Sequence, residues 1–371
     1  MTEPAPLQQV DRTYVVFRGR KLSYFSGCDY FRMASHPAVL QAVKDGVSKY
    51  GLNVAASRLT TGNHELYRRL ERKLAAFFHA EAALLVSTGY VTNLAVCQAL
   101  AGQFTHALID EKAHICLQDA AQFLGCPVLR FHHRDVADAL RQAKRCGKRA
   151  RIILLTDGMY SGQGVASPLA EYLRILPKRA VLLVDDAHGA GVLGRLGQGT
   201  PEFAGVQRQR IIQTLTLSKA FGVYGGAILC SRMIRGEIMA RSRVFVGSTP
   251  LPLPLANAAL TALGLYARQS DLHKRLDQNA ARVKSALRAA GVVFPEGPGP
   301  IIQILLPEKK TAGRLRRALL AAGIYPPLIH YPGSPPNGSF RFMISSEHTR
   351  QQLDALTEVL VRVLGITASP R

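Results

Sequence analysis

At 371 residues the chain is long enough to form a large domain, a smaller one and a substantial buried core. No apolar run approaches the length of a membrane-spanning helix, and residues 1–16 lack the apolar stretch of a secretory signal, which disfavours membrane and secreted proteins. Forty-seven Lys and Arg against 25 Asp and Glu give a net charge of +22, a field that attracts polyanions such as coenzyme A or nucleic acid.

The cysteine and aromatic contents narrow the class of protein further. The six cysteines are scattered without a CxxC pair, which predicts reduced thiols in a cytoplasmic protein and no metal site. The chain has no tryptophan and no zinc-finger, RNP or bZIP pattern, so specific nucleic-acid binding is disfavoured although the charge leaves it open.

Residues 1–50 are predicted to form an N-terminal arm. Short strand-like runs at 14–17 and 22–25 precede a helix that begins near Pro37, since proline is favoured in the first helical turn. A Gly- and Thr-rich loop follows at 51–63, and apolar residues then recur at helical spacing from Leu66, which predicts an amphipathic helix.

Strands and helices alternate from about residue 80 to 230. The apolar runs that predict strands lie at 82–86, 107–109, 128–131, 151–156, 180–184, 211–218 and 225–229. Apolar strands that alternate with helices are typical of a mostly parallel sheet with both faces covered. The sequence therefore predicts an α/β fold with a mostly parallel seven-stranded sheet, in a large cofactor-binding domain at 51–255.

The rest of the chain is predicted to hold a long helix and a small α+β domain. The helix spans about 254–290, and its residues 256–290 form the segment that connects the two domains. The small domain covers 291–371, and its predicted elements are a strand at 301–306, a helix at 311–322, a Pro- and Gly-rich loop at 326–338, a strand at 340–345 and a last helix.

Three polar residues follow two of the predicted strands and carry the chemistry. Asp185 and His188 come directly after the run at 180–184, and Lys219 comes after the run at 211–218. The carboxyl ends of strands in open α/β sheets form ligand crevices. A lysine for a Schiff base and a carboxylate for the pyridine nitrogen are what pyridoxal phosphate requires, so the sequence predicts that cofactor.

A phosphate site is predicted beside these residues. The turn that contains Gly89 and Tyr90 lies between a strand and a helix, and backbone N–H groups at a helix start suit a phosphate. Thr216 and Ser218 offer hydroxyl groups, and His114, which follows another strand, could stack on a flat ring.

A dinucleotide site is the competing interpretation of the segment after Asp185. The sequence GAGVLG at 189–194 matches the GxGxxG pattern and follows a strand. A dinucleotide motif requires an acidic residue at the end of the next strand, whereas that strand ends in Lys219. The pattern therefore disfavours NAD(P).

These segments together resemble the α-oxoamine synthases, the fold-type I pyridoxal-phosphate enzymes that include 8-amino-7-oxononanoate synthase and glycine C-acetyltransferase. The likeness covers about residues 22–365. VDDAHGAGVLG at 184–194 and TLSKAFGVYGG at 216–226 carry it most specifically. Looser matches follow in the same order along the chain, at 57–71, 110–120, 156–164, 247–249 and 340–349.

The resemblance implies a role for each matching residue. Lys219 would form the Schiff base, Asp185 would pair with the pyridine nitrogen, and His188 would pair with the ring hydroxyl. His114 would stack over the ring and take part in proton transfer, and Ser161 would lie beside the ring. The residues implied to hold the cofactor phosphate are Gly89, Tyr90 and Thr216, with Ser248 and Thr249 from the neighbouring subunit of a homodimer.

The implied reaction condenses an amino acid with an acyl-CoA, with loss of carbon dioxide, and Arg341 would clamp the carboxylate of the amino acid. The first expectation is the 8-amino-7-oxononanoate step of biotin biosynthesis. The chain departs from the family pattern at Cys28, Tyr67, residues 162–163 and Phe340. These departures keep an aminotransferase or amino-acid lyase open as the alternative, with a nucleic-acid-binding regulatory protein as a remote one.

Overall fold

The computed structural model describes residues 5–268, 270–306, 308–330 and 338–365. Its strands are β1 (Gln8–Gln9), β2 (Tyr14–Phe17), β3 (Arg20–Ser23), β4 (Ala82–Val86), β5 (His106–Asp110), β6 (Val128–Phe131), β7 (Ile152–Asp157), β8 (Val181–Asp185), β9 (Ile211–Thr216), β10 (Gly226–Cys230), β11 (Ile301–Leu305), β12 (Leu328–Ile329) and β13 (Ser339–Met343). Its α-helices are α1 (Pro37–Tyr50), α2 (Glu65–Phe77), α3 (Gly89–Ala99), α4 (Ile115–Ala121), α5 (Val136–Arg145), α6 (Leu169–Ile175), α7 (Thr200–Phe203), α8 (Arg232–Arg241), α9 (Arg243–Gly247), α10 (Leu253–Arg268), α11 (Ser270–Ala289), α12 (Lys309–Ala321) and α13 (Arg350–Leu364).

The chain separates into two compact units. The smaller contains residues 1–35, 161–165 and 270–371, and the larger contains residues 36–160 and 166–269. These units do not correspond one to one with the four segments expected from the sequence, whose boundaries stay a prediction. Residue 269, in the stretch expected as one long helix, lies outside the described residues and separates α10 from α11.

The larger unit is built on a seven-stranded sheet of order β4-β10-β9-β8-β7-β5-β6. Strands β5 to β9 pair in parallel, and β10 is antiparallel to both of its neighbours, β4 and β9. The prediction of a mostly parallel seven-stranded sheet is therefore confirmed.

Both faces of this sheet are buried, which explains why its strands are mostly apolar. Ile153 and Leu155 of β7 point into a core formed with α3, α4 and α8. Leu154, between them, points into a second core formed with α5 and α6. Side chains alternate between the two faces of a strand, so a strand covered on both sides carries no polar alternation.

The register of the sheet places the carboxyl ends of the parallel strands β7, β8 and β9 side by side. Asp157 at the end of β7 pairs with Asp185 at the end of β8, and Asp185 pairs with Thr214 of β9. Through the antiparallel β10, the end of β4 at Val86 lies at the same edge as Thr216. Residues distant in sequence therefore share one edge of the sheet.

The smaller unit contains two antiparallel three-stranded sheets, β1-β2-β3 and β11-β13-β12. Its core joins apolar residues of β11 and β13 to those of α11, α12 and α13. Part of the predicted Pro- and Gly-rich loop, residues 331–337, lies outside the described residues. Within the described chain, no helix has the length and apolarity needed to cross a membrane.

A buried histidine in the smaller unit is held in its neutral form. His348 is 4% exposed, and its Nδ1 accepts a hydrogen bond from the backbone N–H of Ser345 at 2.9 Å. Its Nε2 donates to the carbonyl oxygen of Tyr24 at 3.0 Å, and its ring stacks on Phe25. Burial, with a further contribution from the charge of Arg32, lowers the pKa of His348 from 6.5 to about 3.

This histidine is expected to make the protein less stable as the pH falls from 7 to 5. The unfolded chain binds a proton at His348 below about pH 6.5 while the folded chain does not, so the free energy of unfolding drops by about 2 kcal/mol over that range. Urea denaturation at both pH values measures the drop. We expect His348→Asn to show a drop about 2 kcal/mol smaller than the wild type, and the exposed-site variant His79→Asn to keep it. Equal drops in His348→Asn and the wild type would contradict this account.

Candidate active site

The carboxylate of Asp185 is held by donors from two helices. Asp185 is 7% exposed, and its Oδ2 accepts hydrogen bonds from Asn93 Nδ2 of α3 at 2.7 Å and from Cys116 Sγ of α4 at 3.1 Å. Its Oδ1 accepts from the backbone N–H of Ala187 at 3.1 Å. These three hydrogen bonds fix the orientation of the Asp185 side chain at the end of β8.

Asp157 lies level with Asp185 on the neighbouring strand, and its surroundings favour the protonated form of its carboxyl group. Its burial and the nearby charge of Asp185 raise the pKa of Asp157 well above its usual range. Two carboxylates at one buried edge do not both ionise readily, since each penalises the charge of the other. Asp157 Oδ2 accepts from the backbone N–H of His114 at 3.0 Å, so this residue positions the start of α4.

His114 caps α4 and lies beside both Cys116 and Asp185. Its Nδ1 is 2.8 Å from Cys116 Sγ and accepts from the backbone N–H of Cys116 at 3.3 Å. A ring nitrogen of His114, the Sγ of Cys116 and a carboxylate oxygen of Asp185 all lie within 4.8 Å of one another. The side chain of His114 is partly exposed to solvent. The protein atoms around the imidazole lower its pKa, because they displace the water that would stabilise the charged form. His114 is therefore a neutral imidazole at neutral pH.

Lys219 and His188 form the second polar pair at this edge. Lys219 Nζ lies 2.7 Å from His188 Nε2, so the two nitrogens form a hydrogen bond. His188 is 9% exposed, and Lys219 is half-buried just beyond β9. An amine that hydrogen-bonds to an imidazole has a partner that can accept and return a proton.

The first turn of α3 forms a small concave surface against Thr216. A Cβ placed on Gly89 would lie 2.7 Å from Thr216 Cβ, so only glycine permits this approach. Thr88 caps the helix, and N–H groups of a first turn lack intrahelical partners. Thr216 Oγ1 is 2.6 Å from Ser218 Oγ. Backbone donors and hydroxyl groups therefore converge where an anion such as phosphate would bind.

Three further predicted residues of the larger unit lie near this turn. Tyr90 is exposed, and its hydroxyl donates a hydrogen bond to Asp119, which raises the pKa of Tyr90 to about 12. Ser248 and Thr249 line a small pocket together with Ser87 of the same chain. Ser248 Oγ donates to the carbonyl oxygen of Val244.

Ser161 and Arg341 both belong to the smaller unit, and the structure brings them together. Arg341 Nη1 donates to the carbonyl oxygen of Ser161 at 3.3 Å. Arg341 lies on β13, opposite Gln303 of β11. The roles of both residues toward a cofactor or substrate stay predictions.

Sequence reasoning missed the residues that support Asp185. Asn93 is fully buried, and its Oδ1 accepts from Thr214 Oγ1 at 2.8 Å, so it connects α3 to β9. Asn93 follows Thr92 and precedes the apolar residues 94–97 of α3, and this polar pair beside an apolar stretch was the available signal. Cys116 gave no signal, because an isolated cysteine is more often a small core residue. Asp157 could have been found, since it also ends an apolar strand.

Known proteins resemble this chain over nearly its whole length. The model of the family "Aminotransferase class I and II" matches residues 27–360. The chain belongs to the aminotransferase class I and II family. It is 35% identical over 351 residues to the 8-amino-7-oxononanoate synthase of Thioalkalivibrio sulfidiphilus, covering 94% of this chain and 89% of the relative.

Solved structures of this family have the same fold. Sphingomonas wittichii serine palmitoyltransferase superposes with a TM-score of 0.91 at 26% identity, covering 98% of this chain and 92% of that one. A solved structure of SPT with PLP gives a TM-score of 0.91 at 26% identity, covering 98% of this chain and 93% of that one. The resemblance to the α-oxoamine synthases and the fold-type I prediction are therefore confirmed.

Proposed function

We propose that this protein is a pyridoxal-phosphate-dependent acyltransferase that condenses an amino acid with an acyl-CoA to give an α-amino ketone, carbon dioxide and free CoA. The observation that carries the proposal is the oriented side chain of Asp185 at the same sheet edge as the Lys219–His188 pair. The curated relative named 8-amino-7-oxononanoate synthase supports the choice of reaction.

The residues present fit pyridoxal phosphate. Asp185 is oriented by Asn93 and Cys116 to pair with a protonated ring nitrogen, and Lys219 offers the amine that binds the cofactor aldehyde. The concave surface of Gly89 against Thr216 accepts a phosphate, with Tyr90 in the same turn. The chemistry that bound pyridoxal phosphate supplies is electron withdrawal from the α-carbon of an amino acid.

Each protein group then has a defined task. The Nζ of Lys219 removes a proton from the α-carbon of the amino acid and later returns one. His188 Nε2 forms a hydrogen bond with Nζ and so orients the amine. The charge of Asp185 stabilises the positive ring nitrogen as negative charge develops on the substrate. His114, neutral and close to Asp185, covers the site and exchanges protons with the substrate.

Substrate binding and assembly complete the proposal. Arg341 binds the carboxylate of the amino acid, and Ser161, which it contacts, lies beside the cofactor. Ser248 and Thr249 reach the phosphate of the neighbouring subunit in a homodimer. Alanine and pimeloyl-CoA are the substrates expected first, since the relative named above is an 8-amino-7-oxononanoate synthase. A cytoplasmic location stays a prediction.

Release of CoA tests this function directly. Purified protein with pyridoxal phosphate is incubated with alanine, glycine or serine, each paired with acyl-CoA esters from acetyl to pimeloyl, and free thiol is measured. We expect release that requires one amino acid, with alanine and pimeloyl-CoA the most active pair. Absence of CoA release in every pair, together with spectral changes of the cofactor on addition of amino acids, would favour the aminotransferase or lyase alternative.

Removing the amide of Asn93 is expected to weaken both the fold and the cofactor site. Asn93→Ala removes a donor to Asp185 and an acceptor for Thr214, and buried groups left unpaired cost about 1–3 kcal/mol. We expect a lower free energy of unfolding by that amount and an affinity for pyridoxal phosphate about tenfold lower.

The matched variant is Thr214→Val, which keeps the bond between Asn93 and Asp185. We expect it to lose stability without an equal loss of cofactor affinity. Equal losses of cofactor affinity in the two variants would mean that Asn93 acts through the fold alone and not through Asp185.

A further inference from the structure

A partly exposed amide lies beside Arg341 on the sheet β11-β13-β12 of the smaller unit. Gln303 of β11 pairs directly with Arg341 of β13, and Arg341 is also partly exposed. Residues directly opposite each other in an antiparallel pair point to the same face of the sheet, with their Cβ atoms about 5 Å apart. The amide of Gln303 and the guanidinium group of Arg341 are therefore neighbours on one face.

The segment 161–165 crosses the same face and leaves an open space beside Gln303. A Cβ placed on Gly164 would lie 3.0 Å from the Cβ of Ile301, which shares the face with Gln303 because one residue separates them on the strand. Apart from its chain neighbours, a Cβ placed on Gly162 would have a single described heavy atom within 4 Å, the Nε2 of Gln303 at 3.8 Å. Position 162, where the chain departs from the family pattern, therefore borders a space that the amide of Gln303 faces.

The amide of Gln303 keeps hydrogen-bonding capacity for a ligand. Among the described residues it makes one hydrogen bond, from Nε2 to Ser339 Oγ at 3.4 Å, which is long for an N–H···O contact. A glutamine amide has two donor hydrogens and an acceptor oxygen, so a second N–H is left for another partner. Because the side chain is partly exposed, a small molecule can reach it.

Arg341 by itself does not fill the hydrogen-bonding positions of a substrate carboxylate. Its Nη1 already donates to the carbonyl oxygen of Ser161 at 3.3 Å. A carboxylate accepts about four hydrogen bonds, and a two-pronged contact from one arginine supplies about two of them. A neutral donor beside the guanidinium group would fill a further position without competing for the positive charge.

We propose that Gln303 binds the carboxylate of the amino-acid substrate together with Arg341, through an N–H of its amide. This inference rests on the proposed function, which places that carboxylate at Arg341. The contact is the same before and during removal of the α-proton, and uniform binding of this kind lowers the KM for the amino acid while kcat stays nearly unchanged. Gln303 is therefore a residue that sets the affinity and selectivity for α-amino acids.

Titration of the full-length protein, saturated with pyridoxal phosphate, with alanine and with ethylamine tests the proposal through the absorbance of the cofactor. Ethylamine has the amine and the carbon chain of alanine but lacks the carboxylate. We expect Gln303→Leu to bind alanine about tenfold more weakly than the wild type does, because a hydrogen bond to a charged group is lost, and to bind ethylamine equally well. Equal weakening for both ligands, or unchanged affinity for alanine, would overturn the proposal.

A second variant and a control complete the titration. Gln303→Glu keeps the size of the side chain and places a negative charge beside the substrate carboxylate, so we expect a larger loss of alanine affinity than in Gln303→Leu. This variant decides the question even if Gln303→Leu does not fold, and alanine affinity equal to that of the wild type would overturn the proposal. Gln209→Leu, which changes an exposed glutamine of the larger unit, is expected to bind both ligands as the wild type does.

Steady-state release of CoA separates this inference from the proposed function. We expect Gln303→Leu to raise the KM for alanine about tenfold, while kcat and the KM for the acyl-CoA stay close to the wild-type values. A lower kcat with an unchanged KM for alanine would overturn the inference. If the wild type releases no CoA, the proposed function is wrong, and the absorbance titration still decides the role of Gln303 because it requires no acyl-CoA.

Discussion

Replacement of Lys219 by alanine is expected to lower the rate of CoA release by about 10⁴-fold or more. Lys219 Nζ is the group that the proposal assigns to both cofactor attachment and proton removal, and its partner His188 Nε2 lies 2.7 Å away. General acid–base catalysis alone contributes up to about 10⁴-fold. The rate is measured as free thiol with the amino acid and acyl-CoA that the wild type prefers.

The control for this prediction is Lys178→Ala, which removes an exposed lysine in the loop before β8. We expect the control to retain the wild-type rate. A Lys219→Ala protein that still releases CoA at the wild-type rate would rule out both the acyltransferase and the aminotransferase interpretations.

Asparagine at position 185 is expected to reduce turnover by about 10²- to 10³-fold while the protein remains folded. The substitution keeps the shape of the side chain and removes the charge that would stabilise a protonated ring nitrogen. Asn93 and Cys116, which bond to the aspartate, would still contact the new amide.

Asp157→Asn is the matched control, because Asp157 lies level with Asp185 but has a pKa raised well above its usual range by burial and by the nearby charge of Asp185. An amide oxygen at position 157 can still accept the backbone N–H of His114. We expect this variant to lose much less activity than Asp185→Asn. Equal losses in the two variants would show that the charge is shared and not carried by Asp185 alone.

The central sheet was predictable because its strands are buried on both faces. A strand such as β8 has apolar residues at every position until Asp185, and that contrast marks both the strand and the end where the site lies. The strands β1 and β12 have only two residues each and were missed, since so short a segment has no periodicity to detect. Their pairing depends on neighbours supplied by distant parts of the chain.

The candidate site was predictable where a residue follows a strand and not where it acts through another residue. Asp185, His188 and Lys219 stand in distinctive segments, so their positions could be predicted together. Asn93 lies 92 residues from Asp185 in sequence, and only the packing of α3 against the sheet brings its amide to the carboxylate. The raised pKa of Asp157 likewise depends on burial and on the strand register beside Asp185, which the sequence does not display.

The most direct test of the central claim follows the carboxyl carbon of the amino acid. Alanine labelled with carbon-13 in its carboxyl group is incubated with the protein, pyridoxal phosphate and pimeloyl-CoA, and labelled carbon dioxide, free CoA and the organic product are measured by mass spectrometry and thiol assay. The account predicts equal amounts of labelled carbon dioxide and CoA, with an unlabelled amino ketone as the product. Retention of the label in a keto acid, without release of CoA, would contradict it.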